Sequence, residues 1–316
     1  MKKMKKLPAI AILTLLLSTM FFTCYSTGKQ GLENSTISSE QYEKGFRYNT
    51  HGWIYLHIEG EPYKRGYQHG YLLAHEIIDI IGRWQAMFPH KFTWQILKID
   101  AMRLFWRRYP DEYQQEIKGI ADGVKAKIGN NIGPSFDYKD ILTLNEMYES
   151  LSRFRTYSVH PFRIRNSWWF FLLYRQFFYS QSSGETQHIG KCSSFLATGE
   201  STKDGGIVAG HSTFGWRSDG ENWWHTYICG RWNVLLDINP TKGNRMLFST
   251  SPGLIWSDED YYQNDAGMIL METTLSPLGP WTRFGDPIVV RARKAIQYSN
   301  SIEEMVDFLL KKKRKS

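Results

Sequence analysis

Gly190-Lys191-Cys192-Ser193-Ser194-Phe195-Leu196-Ala197-Thr198-Gly199, followed by Lys203-Asp204-Gly205-Gly206-Ile207-Val208-Ala209-Gly210-His211, decides how this chain is read. A cysteine opens an apolar run, a glycine-rich turn follows, and a second apolar run closes on a histidine. Two strands joined in this way can bring a thiol and an imidazole together. How closely depends on the turn. A tight two-residue hairpin at Asp204-Gly205 sets Cys192 opposite about Arg217 and leaves His211 roughly 20 Å away along the ladder. A wider loop from Gly199 to Gly205 sets Cys192 opposite Ser212 with His211 beside it. The loop residues are polar or glycine, which favours the wider form.

A thiol attacks a carbonyl as the thiolate, and a free cysteine with a pKa of ~8.5 is mostly protonated at neutral pH, so it needs a base or a positive neighbour. His211 can serve. Cleavage of the Lys191-Cys192 bond by the protein itself offers another base, the freed α-amine of Cys192, whose ordinary pKa is about 7.7 to 8.0. Against both stands the plainer possibility that Cys192 is a small buried hydrophobe and His211 a solvated strand end.

Several motifs give this stretch a family context. They are Cys192-Ser193-Ser194-Phe195, the Gly210-His211-x-Thr213 step, and the long run Phe248-Ser249-Thr250-Ser251-Pro252-Gly253-Leu254-Ile255-Trp256-Ser257-Asp258-Glu259-Asp260-Tyr261-Tyr262, with Gly267 and Glu272-Thr273-Thr274. Together they resemble the phospholipase B-like family and, more distantly, the autoproteolytic acyltransferases grouped as peptidase family C45. Gly60-x-Pro62-Tyr63-x-Arg65-Gly66-Tyr67-Gln68-x-Gly70 is similar to the N-terminal signature of those groups. The resemblance runs from about Gly52 to Leu310.

It implies an N-terminal-nucleophile hydrolase: an α+β protein built as a four-layer αββα sandwich, activated by self-cleavage before the cysteine and acting on amide or acyl-ester carbonyls. Cys192 matches the nucleophile and His211 the histidine after the first hairpin, with Thr213 beside it. Phe214 stands near where an aromatic, usually tryptophan, is expected. The family continues past the helix resembling Ser301 to Leu310 into an Asn-rich strand, where this chain has Lys311-Lys312-Lys313-Arg314-Lys315-Ser316, so the sandwich is expected to be incomplete. The implied substrate is a small acyl compound, a lipid or N-acyl amide, with a membrane surface as the accompanying partner. No cofactor is implied. The rival from another class is an inactive envelope protein, or a gene fragment that keeps part of the fold.

The 316 residues, 42% hydrophobic and 22% charged, are enough for one large domain or two small ones. The formal charge of +8 is concentrated at the ends. Lys2, Lys3, Lys5 and Lys6 and the five basic residues of the last six outweigh it, leaving the body near neutral. A basic nucleic-acid-binding face is therefore not supported.

Met1 to Lys6 followed by the apolar run Leu7 to Phe22 reads as a secretory signal too short to span a bilayer, so export is expected. Cys24 directly after it allows a lipid anchor in a bacterial envelope; cleavage and release is the alternative. Residues 1–25 are thus a signal or lipoprotein signal, 26–45 a polar tether, 46–191 a helix-rich part and 192–316 a strand-rich part that opens with the nucleophile. In an exported protein a Cys192–Cys229 disulfide would occupy the proposed nucleophile; two free thiols are the other arrangement.

Along the body, Gly52 to Ile58 has strand composition, and Leu73, Ile77, Ile80, Ile81 and Trp84 recur at helical spacing. Arg65 and His69, near the start of that helix, are candidates to line a site, although such residues are more often structural. Pro110 to Lys127 and Tyr138 to Leu151 predict helices. Asn145 and Glu146 in the second could reach the cleavage site or lie on a solvated face. Strands are predicted over Trp223–Ile228, Trp232–Ile238, Arg245–Thr250 and Met268–Glu272. Closing helices are predicted over Pro287–Tyr298 and Ser301–Leu310, the latter with Ser301 and Glu304 as a capping box. Asp258, Glu259 and Asp260 have no His or Cys at ligand spacing, so they read as a structural or solvated turn and no metal site is expected.

Overall fold

Alternating side chains in β3 (Trp53–Gly60) send Ile54, Leu56 and Ile58 to one face, where all three are buried. This strand lies near the middle of the sheet in the computed structural model, which describes residues 39–88, 92–129, 136–150, 192–213, 230–273 and 285–310. β1 (Ser39–Tyr42) and β2 (Gly45–Thr50) pair ahead of it as antiparallel neighbours. β1 falls within the stretch 26–45 whose composition reads as a tether. Its ladder to β2 runs from Ser39↔Tyr48 to Tyr42↔Gly45, and Tyr42 packs against the Tyr67 and Tyr71 rings.

The chain then makes α1 (Pro62–Leu72), α2 (Ala74–Met87), α3 (Thr93–Leu104), α4 (Asp111–Ile128) and α5 (Tyr138–Asn145). Apolar periodicity alone places the first of these helices near Tyr71. It begins at Pro62 instead, because proline at the first helical position has no N–H to leave unsatisfied and its fixed φ suits the helix. Asp137 and Asp140 form a reciprocal capping box at the start of α5.

Strands return as the hairpin β4 (Cys192–Gly199) and β5 (Gly205–Thr213), then β6 (Asn233–Pro240), β7 (Met246–Thr250), β8 (Tyr261–Asn264) and β9 (Ile269–Met271). The last four extend the first sheet into the order β1-β2-β3-β6-β7-β8-β9. Among the described residues only the β3–β6 pair in it is parallel, and a parallel pair needs a crossover, which the helical segment supplies. α6 (Ile288–Tyr298) and α7 (Ile302–Leu310) follow, and Ser301 Oγ accepts the Glu304 N–H at 3.2 Å as the capping signal predicts.

Val234, Leu236, Ile238, Met246 and Phe248 from the sheet share one core with Ile77, Ile80, Ile117, Ile120, Ile141 and Ile296 from the helices. Each such side chain stabilises the fold by about 1.5–3 kcal/mol when buried. The described elements thus form a helical layer on a sheet, an α+β arrangement, with β4–β5 as a separate two-stranded sheet. Among the described residues no helix is long and apolar enough to cross a membrane. Lys191, Cys24, Cys229, Phe214, the strand expected over Trp223–Ile228 and the basic residues after Leu310 lie outside the described residues.

Candidate active site

β4 and β5 are joined by the wider of the two turns considered above. Gly199 faces Gly205, both at positive φ (57° and 73°), and the backbone between them is tied by Thr202, whose hydroxyl donates to Gly199 O and Gly206 O. The partner of Cys192 is Thr213, one residue beyond Ser212, because an irregularity between Ala197 and Gly199 adds a residue to β5. The slip has a chemical consequence. Residues directly opposite, and residues two apart, share a face, so pairing with Thr213 puts Cys192 and His211 on the same side of the ribbon. Pairing with Ser212 would have turned His211 away. On the other side the Phe195 ring lies across Gly210, where a β-carbon would meet it at 2.2 Å.

The Cys192 thiol is free. Its sulfur, a ring nitrogen of His211 and a carboxylate oxygen of Asp260 all lie within 4.8 Å of one another, and all three residues are partly accessible. Glu272 holds two of them through its backbone. Its carbonyl lies 2.8 Å from His211 Nε2, and its N–H donates to the Asp260 carbonyl at 3.2 Å. A carbonyl only accepts, so Nε2 is the donor in this contact and Nδ1 takes no part in it.

Asp260 is delivered by a buried loop, and a buried loop must find partners for its backbone groups. Side chains from three helices supply them. His69 of α1 accepts the Gly253 N–H at 3.1 Å through Nε2; burial lowers its imidazole to about 4, keeping that lone pair free. Asn145 of α5 donates to Gly253 O at 3.0 Å and accepts from Ile255 N at 2.9 Å. Arg293 of α6 donates to Ile255 O at 2.6 Å. Within the loop, Ser251 donates to Asp258 from both N and Oγ, at 2.9 and 2.6 Å. Asp258 is therefore the structural member of the acidic run. Asp260, at φ 58°, turns the chain into β8 and towards Cys192.

Arg65 is fully buried elsewhere in this framework. It donates to Glu116 and Glu112, both at 2.8 Å, and Glu116 also meets Arg293 at 3.1 Å. Of the residues singled out in the sequence, Cys192 and His211 are brought together, with the backbone of Thr213 opposite Cys192. Arg65 and Asn145 act on the site through the loop. Asp260 reads in the sequence as part of a structural or solvated turn with no His or Cys at ligand spacing; the fold instead brings it to Cys192 and His211, although the nearer of the two is 49 residues away in the chain. Glu272 carries no spacing signal of its own, only its place in the Glu272-Thr273-Thr274 motif.

Burial raises the Asp260 carboxyl to about 8, and the neighbouring acids Glu272, Asp258 and Glu259 push the same way. Between the ordinary carboxylate range near 4 and about 8 the folded chain keeps a proton that the unfolded chain releases, so this contribution is complete at low pH and is lost as pH rises through 8. Asp260→Asn removes the liability. Its melting temperature relative to the parent is expected to climb between pH 5 and pH 9 by the equivalent of about 2 kcal/mol, allowing for the partial exposure of the group. Melting curves across that range check it; a constant difference would contradict it.

Fold and site together define an α+β protein in which a thiol, an imidazole and a carboxyl converge from two separate sheets. A family model described as Phospholipase B matches residues 83–279, which include all three, and the chain belongs to the phospholipase B family. It is also similar to an uncharacterized protein of Archaeoglobus fulgidus, 22% identical over 302 residues, an alignment that covers 92% of this chain and 45% of the relative. The chain thus spans less than half the length of that relative.

Proposed function

We propose that this chain is an exported lipid hydrolase that uses Cys192 as an N-terminal nucleophile. The observation carrying the proposal is the convergence of the Cys192 sulfur, a His211 nitrogen and an Asp260 oxygen within 4.8 Å, in a chain of the phospholipase B family. In the first step the Cys192 thiol adds to the Lys191 carbonyl and the peptide C–N bond breaks. Water then hydrolyses the thioester, leaving a carboxylate on Lys191 and a free amine on Cys192.

In turnover that amine takes the thiol proton, and sulfur attacks the acyl carbonyl. The leaving alcohol or amine departs with the proton, and water releases the fatty acid from the acyl-thioester. His211, held through Nε2 by Glu272, presents Nδ1 to the reacting groups, and Asp260 in its protonated form donates a hydrogen bond. An acyl chain suits the setting: Leu196, on the Cys192 face of the ribbon, is 61% exposed. The apolar run of residues 7–22 and Cys24 support export with a lipid anchor at the envelope, and the αββα sandwich is the fold that fits this chemistry.

Intact-mass measurement on the purified protein tests the first step. Two polypeptides, the second with Cys192 as its N-terminal residue, together with fatty acid release from phosphatidylcholine vesicles, are expected. One uncut chain that nevertheless releases fatty acid would remove self-cleavage, and a cut chain inert towards phospholipid but active on N-acyl amides would move the substrate class.

A further inference from the structure

We infer that Cys192, His211 and Asp260 form a zinc site, and that bound zinc masks the nucleophile. Thiolate, imidazole and carboxylate are the three ligand types zinc takes, at bond lengths of about 2.0–2.3 Å. Tetrahedral bonds of that length set the donors ~3.5 Å apart, so ligands already within 4.8 Å of one another have to close by only about 1 Å. They come from three segments of fixed backbone: the start of β4, β5, and the turn into β8.

The support of the histidine points to a cation beyond mere proximity. A metal-bound imidazole ordinarily donates its second ring N–H to a carbonyl or carboxylate, which fixes tautomer and ring orientation, and His211 Nε2 does so to Glu272 O at 2.8 Å. Nδ1 is then the nitrogen that would take the ion.

Binding is written Zn²⁺ plus one thiol plus one carboxylic acid giving the bound ion and two protons released to water. The lone pair on His211 Nδ1 completes three protein ligands, and water takes the open position. After cleavage at Lys191-Cys192 the α-amine of Cys192 displaces that water, closing a five-membered chelate with its own sulfur. The cut form then binds zinc more tightly than the uncut form and is inactive until the ion is withdrawn. This last, regulatory half rests on the nucleophile proposal; the metal binding does not.

Cobalt(II) serves as the optical probe, since a thiolate ligand gives a sulfur-to-metal charge-transfer band in the near ultraviolet. The full chain is expected to show one such band, displaced by one equivalent of zinc. The band is expected to be absent in Cys192→Ser, and affinity to fall at least tenfold in His211→Ala and in Asp260→Asn. Zinc is also expected to slow alkylation of Cys192 by iodoacetamide, read by peptide mass. That measurement uses the parent alone and needs no variant to fold. A parent without the band, or with Cys192 alkylated equally fast in zinc, overturns the inference. Hydrolysis lost in Cys192→Ala by a parent that binds no zinc leaves the nucleophile standing and removes only the metal; zinc bound by a chain without hydrolase activity does the reverse.

Discussion

Cys192→Ala is expected to eliminate phospholipid hydrolysis, by a factor on the order of 10⁴ or more, while leaving a folded chain that stays in one piece. Loss of a nucleophile is distinguished from loss of structure by where Cys192 sits. It is the first residue of β4 and only partly buried, so removing its sulfur opens no core cavity, and the melting temperature should stay within the equivalent of about 1 kcal/mol of the parent. Cys192→Ser provides the graded case: a hydroxyl can still be activated by an α-amine, so slow self-cleavage with weak turnover is expected. The same two assays, a denaturing gel and fatty acid release, read all three proteins. Undiminished hydrolysis by the alanine variant would take the reaction away from this thiol, whatever the state of the Lys191-Cys192 bond.

The uneven legibility of this fold follows from how each feature is encoded. The strand at Trp53–Gly60, the long helix α4 and the two closing helices announce themselves through local periodicity, and their observed ranges follow the pattern closely. The site is encoded differently. Whether His211 meets Cys192 at all depends on one extra residue in β5, an irregularity that composition cannot place. Asp260 reaches the pair only because His69, Asn145 and Arg293, far apart in the chain, each bind one backbone group of the loop before it. None of those three contacts has a local signal. Asn145 and Arg65, candidates for chemistry by their polarity, instead find buried partners that hold the framework; a polar residue in an apolar helix shows that it has a partner without showing which.

Gly70→Ala is expected to prevent folding. Gly66 and Gly70 on α1 face Gly119 and Gly123 on α4, and a β-carbon at Gly70 would stand 1.9 Å from Ile120 O, with the other three at 2.1–2.2 Å from opposing carbonyl oxygens. Spacing of four residues puts each pair on one side of its helix, so the two backbones touch along a continuous seam. Backbone cannot swing aside as a side chain can, and accommodating a methyl means parting the helices by more than about 1 Å.

The parting does not stop at the seam. Glu116 of α4 lies between Arg65 of α1 and Arg293 of α6, all three fully buried, and breaking such a cluster costs about 3–5 kcal/mol because charge is left unpaired away from water. Against a total stability of roughly 5–15 kcal/mol the overlap and the lost pairing together leave little. Gly82→Ala is the matched control. Gly82 also lies in a helix, α2, but nothing stands within 4 Å of its added carbon, so alanine there is expected to stabilise by about 0.5–1 kcal/mol. Circular dichroism should therefore show no cooperative melt for Gly70→Ala and a melt above the parent's for Gly82→Ala. A Gly70→Ala protein melting with the parent would mean that the α1–α4 seam is looser than described, and with it the Glu116–Arg293–Ile255 connection that steadies the loop leading to Asp260.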